Sequence, residues 1–221
     1  MKERYFTIQA LEQQSRELYR QVVELAQPKV FSFRPGHSAL LVLDMQSYFL
    51  DASSHACIPS AEAIVEGIAK LIKAYADHGR PIIFTQHINT TTNAGMMSKW
   101  WKDLLTTQNP LHQLIQQIDP SLGIVIQKSQ YDAFYQTQLD EILHARAVTQ
   151  VILCGVMTHL CCETTARSAF MNGYEVFFLV DGTATYNLQY HRASLINLAH
   201  GFANLVFVQD ILASIRGEHE G

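Results

Sequence analysis

Val151-Ile152-Leu153-Cys154-Gly155-Val156-Met157-Thr158-His159-Leu160-Cys161 is the stretch that decides the fold. Val151–Cys154 is a short, solid apolar run, as in a strand covered on both faces. The segment after it, roughly His159–Asn172, reads as a helix and stops at Gly173, a residue suited to the left-handed turn beyond a helix. A strand passing directly into a helix is half of a βαβ unit, and such units build parallel sheets.

The same rhythm extends both ways. Downstream, Glu175–Val180 reads as a strand, Gln189–Ala199 as a helix and Leu205–Val208 as a last strand. Upstream, Ala39–Leu43, Pro81–Thr85 and Ile124–Gln127 read as strands. Helices are expected over Ser60–His78, with Ser60 as N-cap and Gly79 as stop, over Leu111–Ile118 and over Thr137–Ala145. The pattern predicts an α/β protein: a three-layer α/β/α sandwich around a six-stranded, mostly parallel, Rossmann-like sheet. Ahead of it, Leu11, Leu18, Val22 and Leu25 give Gln9–Ala26 helical spacing, and Pro28 with the Arg34-Pro35-Gly36 turn ends that helix. The chain thus divides into an N-terminal helical arm, residues 1–36, and a domain over 37–221. Asn89–Asn109 is the one long irregular stretch, of a length suited to a lid or substrate loop.

Composition narrows the function. Of 221 residues, 48% are hydrophobic and 16% charged, the balance of a chain with a large core. Sixteen Lys and Arg against twenty Asp and Glu give a net charge of −4, and no dense basic run appears, so nucleic acid is not the expected partner. Apolar runs such as Val176–Val180 are far too short to span a bilayer, and Met1–Tyr19 lacks the apolar core of a secretory signal. Four cysteines, two of them adjacent and none in a CxxC pair, do not make a disulfide framework. A cytoplasmic protein with reduced thiols, acting on a small molecule away from membranes, is the expectation.

Open parallel sheets bind ligands outside the carboxyl ends of their strands. Those ends carry Asp44 and Gln46 on the first strand, Gln86 and His87 on the second, Lys128 on the third, the Gly155–Cys161 turn on the fourth and Asp181 on the fifth. One Asp or Lys at a strand end is most often a turn residue or a cap. A carboxylate, an ammonium and a thiol on three ends of one sheet point instead to a crevice where Asp44, Lys128 and Cys161 converge. Cys161 falls in the first turn of a helix, where unpaired amides and the helix dipole favour a thiolate. Asp44 is placed to take the thiol proton and Lys128 to supply the countercharge. Cys162 is one helical step, about 100°, further round and faces elsewhere; it and Cys154 read as inert core thiols.

These residues resemble the isochorismatase-like cysteine hydrolases, a family that includes nicotinamidases, N-carbamoylsarcosine amidases and isochorismatases. Leu40-Leu41-Val42-Leu43-Asp44-Met45-Gln46 is similar to the family's first-strand motif. Lys128-Ser129-Gln130-Tyr131-Asp132-Ala133-Phe134 is similar to its K-x-x-[YF]-x-A-F segment, and Gly155–Cys161 to G-V-x-T-x-x-C. The resemblance covers about Ser38 to Ile211. It implies an Asp44-Lys128-Cys161 triad, a non-proline cis peptide at Val156–Met157, an oxyanion hole from the backbone amides of Met157 and Cys161, and a homo-oligomer, dimer or tetramer. Isochorismatases carry glycine where this chain has Cys161, although His159 and Cys162 match their pattern. Nicotinamidases carry a D-x-H metal motif after the second strand; here His87-Ile88-Asn89 stands in its place, so neither metal nor another cofactor is expected. Asp51, His55 and His87 are too irregularly spaced to suggest a metal set.

The leading expectation is a thiol-dependent hydrolase of a small amide or related C–N bond. Vinyl-ether hydrolysis of the isochorismatase type is the alternative, and a catalytically silent oligomeric scaffold is a third reading. Gln46, Gln86, Trp100, Trp101, Tyr131, Phe134 and His159 are the candidate substrate contacts.

Overall fold

The computed structural model describes residues 1–27 and 31–217. Its elements in chain order are α1 (Leu11–Val23), β1 (Ser38–Leu43), α2 (Ser47–Leu50), α3 (Ala61–Asp77), β2 (Ile82–His87) and α4 (Met97–Trp100), then β3 (Ile124–Lys128), α5 (Leu139–His144), β4 (Gln150–Val156), α6 (Glu163–Met171), β5 (Glu175–Ala184), α7 (Leu188–Gly201), β6 (Asn204–Val206) and α8 (Val208–Gly217). The sheet is parallel throughout, in the order β3-β2-β1-β4-β5-β6. Strand order reverses at β1 and β4, which pair along their whole length from Ser38↔Gln150 to Leu43↔Gly155. That reversal opens a crevice beyond their carboxyl ends, and right-handed crossovers place α3 on the opposite face from α6 and α7.

Every residue of β1 and β4 is buried, which explains their unbroken apolar runs. Cutting one such leucine to alanine costs about 2–5 kcal/mol. Gly155 is required by packing as well as by dihedral: φ is +111°, and a Cβ there would lie 2.1 Å from the Leu43 carbonyl oxygen. The Val156–Met157 peptide that follows is cis.

Several elements differ from the sequence expectation, among them two short helices it did not include, α2 and α4, the latter inside the Asn89–Asn109 stretch. Leu111–Ile118 is not a helix. Pro110–His112 makes a single 3₁₀ turn, and the chain then runs beside the segment after β1, with Ser47 N–H donating to Gln113 O and Ile115 N–H to Met45 O, both at 2.9 Å. The apolar side chains there serve an extended tether rather than a helix face. The helix after β4 is two pieces, a π-helical turn over Thr158–Cys162 and then α6. β5 does not stop before Asp181; it bulges, pairing Leu153↔Phe178 and then Gly155↔Thr183, and runs on to Ala184. Asp181 lies inside the bulge, accepting the Val208 N–H at 2.9 Å, and does not orient the crevice. Finally, Val208 opens a helix that the sequence reading did not include, with Ile211 and Ile215 buried one turn apart.

Ser60 precedes α3 but makes no side-chain cap bond to it. Its hydroxyl oxygen accepts the N–H groups of Tyr5 (2.9 Å) and Phe6 (3.1 Å) instead, pinning the N-terminal arm. Helix α1 packs on α7 and β5. Pro28, expected to end the arm helix, lies outside the described residues.

Candidate active site

The chain leaves β1 at Asp44, whose φ of +51° is a left-handed conformation that aspartate tolerates better than most residues. Thr85, on β2, holds it there. The Thr85 hydroxyl accepts the Asp44 N–H at 3.1 Å and donates to Asp44 Oδ1 at 2.6 Å. The second oxygen, Oδ2, lies 2.7 Å from Lys128 Nζ, and both side chains are wholly buried. Lys128 reaches in from the end of β3 and donates to Gln130 O at 2.9 Å and to Cys161 Sγ at 3.3 Å. One ammonium therefore touches both the carboxylate and the sulfur.

Charge in this triangle is decided by burial and pairing together. Burial alone would push the Asp44 carboxyl up, but the charge of Lys128 outweighs it and holds Asp44 below the usual carboxylate range. Burial would strip Lys128 of its proton; Asp44 and the Cys161 sulfur raise it instead, so the ammonium persists. Cys161 pays no such compensation its way. Burial first, and then the Asp44 charge, push its thiol up to about 12, with Lys128 opposing only in part. Burial thus opposes the helix-start preference for a thiolate: the ion pair is Asp44–Lys128, and the Cys161 thiol is held above its ordinary range. Cys154 and Cys162 are fully buried, with thiols pushed above their ordinary value.

Cys161 opens into a cavity of about 150 Å³, lined also by Tyr48, Phe49, His55, His87, Asn89, Met97, Trp101, Leu105, Tyr131, Met157, Leu160 and Tyr186. Trp101 Nε1 donates to the Tyr131 hydroxyl at 2.8 Å, closing one wall. The cavity is an aromatic box with the thiol at one end.

The isochorismatase domain family model matches residues 38–210. The chain belongs to the isochorismatase family. Nicotinamidase 3 of Arabidopsis thaliana is 38% identical over 185 residues, covering 81% of this chain and 89% of that protein. Enterobactin synthase component B of Escherichia coli K12 is 28% identical over 193 residues, covering 86% of this chain and 67% of that one. In three dimensions, a cysteine hydrolase from Pseudomonas syringae superposes with a TM-score of 0.83 at 27% identity, covering 86% of this chain and 98% of its own. The protein is a hydrolase of the isochorismatase-like family, which leaves the scaffold reading without support.

Within that family frame the candidate substrate contacts separate. Trp101 and Tyr131 line the cavity and Trp100, 74% exposed, does not. The Gln46 amide is consumed by backbone: Oε1 accepts the His87 N–H at 2.8 Å, and Nε2 donates to His112 O at 2.6 Å. Gln86 is buried beside β3 without reaching the cavity. Phe134 stacks on Tyr174 at 5.8 Å. His159 Nδ1 lies 2.6 Å from Thr185 Oγ1, and its ring stacks on Tyr190 at 4.5 Å. Tyr48 and Tyr186 went unrecognised in the sequence. Their places depend on the chain path just after β1 and on the extension of β5, neither of which periodicity reports.

The residues standing where nicotinamidases carry their metal motif do not fit a metal. Asn89 donates Nδ2 to Ser129 O at 2.9 Å, which turns Oδ1 toward His87 Nε2, also at 2.9 Å. Oδ1 can only accept, so Nε2 carries the proton and no lone pair. Burial pushes the imidazole down to about 4, keeping it neutral. Among the described residues, no group of three His, Cys, Asp or Glu could hold an ion.

Proposed function

We propose that this hydrolase cleaves the C–N bond of a small planar carboxamide through a Cys161 acyl-thioester. The observation that carries this reading is the single ammonium of Lys128 touching Asp44 and Cys161 at the end of an aromatic cavity. A cavity near 150 Å³ holds about one six-membered ring. Nicotinamide, the substrate class in the name of the Arabidopsis relative, is the first compound to test.

As Cys161 Sγ attacks the carbonyl carbon, its proton passes to Asp44. The oxyanion forms against the backbone amides of Met157 and Cys161, with the Lys128 charge nearby. Asp44 then returns the proton to the amide nitrogen, the C–N bond breaks and ammonia leaves. Water attacks the thioester, giving its proton to Asp44, which hands it to the departing sulfur. Starting with a neutral thiol suits this sequence, because the proton moves only when the carbonyl is in place.

Vinyl-ether hydrolysis would need Asp44 to enter protonated, and the Lys128 pair opposes that. We further propose a cytoplasmic homo-oligomer, dimer or tetramer. The four free thiols suit a reducing compartment, and exposed Met96 and Trp100 offer apolar contact surface. Light scattering giving a monomer mass would remove the oligomer.

The test is ammonia release from nicotinamide, benzamide and ureido compounds by wild type and Cys161→Ala. Turnover should fall by roughly a thousandfold or more in the variant, with circular dichroism unchanged. Equal ammonia release from both proteins, or pyruvate release from isochorismate that survives Cys161→Ala, overturns the reading.

A further inference from the structure

The N-terminal arm reaches the active site from behind. Tyr5 is half-buried, and its hydroxyl accepts the Thr185 N–H at 2.9 Å. That leaves the hydroxyl proton free to donate, and His191 Nδ1 lies 2.9 Å away. His191 is fully buried on α7, where desolvation keeps its imidazole neutral. The hydroxyl of Thr158, the first residue of the π-helical turn that carries Cys161, lies 3.0 Å from the same nitrogen, so the two hydroxyls share its one lone pair. A three-member polar cluster, Tyr5–His191–Thr158, therefore joins the arm to the nucleophile turn.

The arm also grips two pieces of the cavity wall. Lys2 Nζ donates to His55 O at 2.5 Å and to Cys57 O at 2.8 Å, and it sits 4.3 Å above the Tyr186 ring. Glu3 N–H donates to Tyr186 O at 2.8 Å. His55 and Tyr186 both line the cavity. Tyr5 and Phe6 are themselves anchored through Ser60. Three segments distant in sequence, at 55–57, 158–162 and 185–186, thus share one brace.

We infer that Tyr5 is a positioning residue: through His191 and Thr158 it fixes the π-helical turn that aims Cys161 at the substrate carbonyl. The inference rests on the thiol-hydrolase reading for its kinetic arm but not for its chemical one. Breaking the Tyr5–His191 or Thr158–His191 contact leaves a further polar group without its partner, which opposes movement of the turn. Nucleophile placement enters the rate steeply, since misplacement by about 1 Å can cost a hundredfold.

The test is a double-mutant cycle on the full chain with Tyr5→Phe and Thr158→Val, each of which keeps shape and removes a hydroxyl. Tyr5→Phe should lower kcat roughly three- to tenfold, with KM within about twofold. It should also speed iodoacetamide labelling of Cys161, followed by peptide mass spectrometry, because a loosened turn uncovers a thiol that is 6% exposed in the intact protein. Adding Thr158→Val should change little further, because both substitutions cut one cluster. Unchanged kcat and unchanged labelling in Tyr5→Phe overturn the inference, and so do effects that simply add. If wild type hydrolyses no amide, the carboxamide reading fails while the labelling cycle still decides the role of Tyr5.

Discussion

Asp44 and Asp181 both follow apolar runs of the sheet, one fully buried and the other half-buried, yet the fold gives them opposite electrostatics. Asp44 has a hydroxyl on one oxygen and an ammonium at 2.7 Å from the other, and it stays ionised. Asp181 has the Val208 amide as its bonded partner, and Asp210 adds a like charge. Burial dominates there and raises its carboxyl to about 6. The difference teaches that a buried carboxylate is defined by the cation that faces it. Desolvation sets the cost at both places; a lysine in contact offsets it at Asp44, whereas at Asp181 Arg16 offsets it only weakly.

Lys128→Met breaks the comparison most directly, by making Asp44 resemble Asp181. It keeps the stem and deletes the charge, leaving Asp44 unpaired in a dry site. The Asp44 carboxyl should then rise and take up a proton, which removes the base as well as the electrostatic support. Turnover should fall by at least about two orders of magnitude, and labelling of Cys161 at fixed pH should slow, since Lys128 is what opposes the upward push on its thiol. Stability should fall by about 3–5 kcal/mol, the cost of stranding one partner of a buried pair. Asp44→Asn combined with Lys128→Met should recover much of that stability and none of the activity. Wild-type turnover and labelling in Lys128→Met would show that the ion pair is structural only.

Much of the site was legible for a simple reason. Strand and helix alternate, strand ends converge, and Asp44, Lys128 and Cys161 stand at three of those ends. What position in the sequence does not carry is direction. Gln46 and Trp100 sit beside true cavity neighbours, yet one turns into backbone and the other into solvent. Asp181-Gly182 reads as a turn, and the bulge that absorbs it exists only because β4 and β5 pair on either side. The upward push on the Cys161 thiol is invisible in sequence because a helix start is a local feature, whereas burial depends on the whole fold. Leu205–Val208 reads as one strand, whereas β6 ends at Val206 and Val208 already opens α8.

The Trp100–Trp101 pair sharpens the same lesson with a smaller effect. Trp101 donates to Tyr131 across the cavity wall, and Trp100 is in solvent. Tyr131→Phe leaves the indole N–H without its acceptor, and losing such a bond costs about 1 kcal/mol. KM for the best carboxamide should rise about fivefold with kcat little changed. Trp100→Phe should leave both constants where they were. Matching KM values for the two variants would mean that the wall does not meet substrate.

Asp181→Asn carries the smallest effect and tests the other half of the comparison. The Asp181 carboxyl is raised from 3.8 to about 6, so the folded protein holds this proton more tightly than the unfolded chain does. Its contribution to stability is complete below about pH 4 and is lost as pH rises through about 6. At pH 7.5 the folded protein therefore carries a desolvated charge that Arg16 offsets only in part. Asparagine keeps an oxygen for the Val208 N–H and cannot ionise. The variant should be more stable than wild type by about 1–3 kcal/mol at pH 7.5, and the gap should close toward pH 4. Because Asp181 faces α8 and not the crevice, kcat and KM should not move. Urea titrations at the two pH values measure the gap. A variant less stable than wild type at pH 7.5 would mean that the Arg16 charge outweighs burial at Asp181, and that the contrast with Asp44 is one of degree.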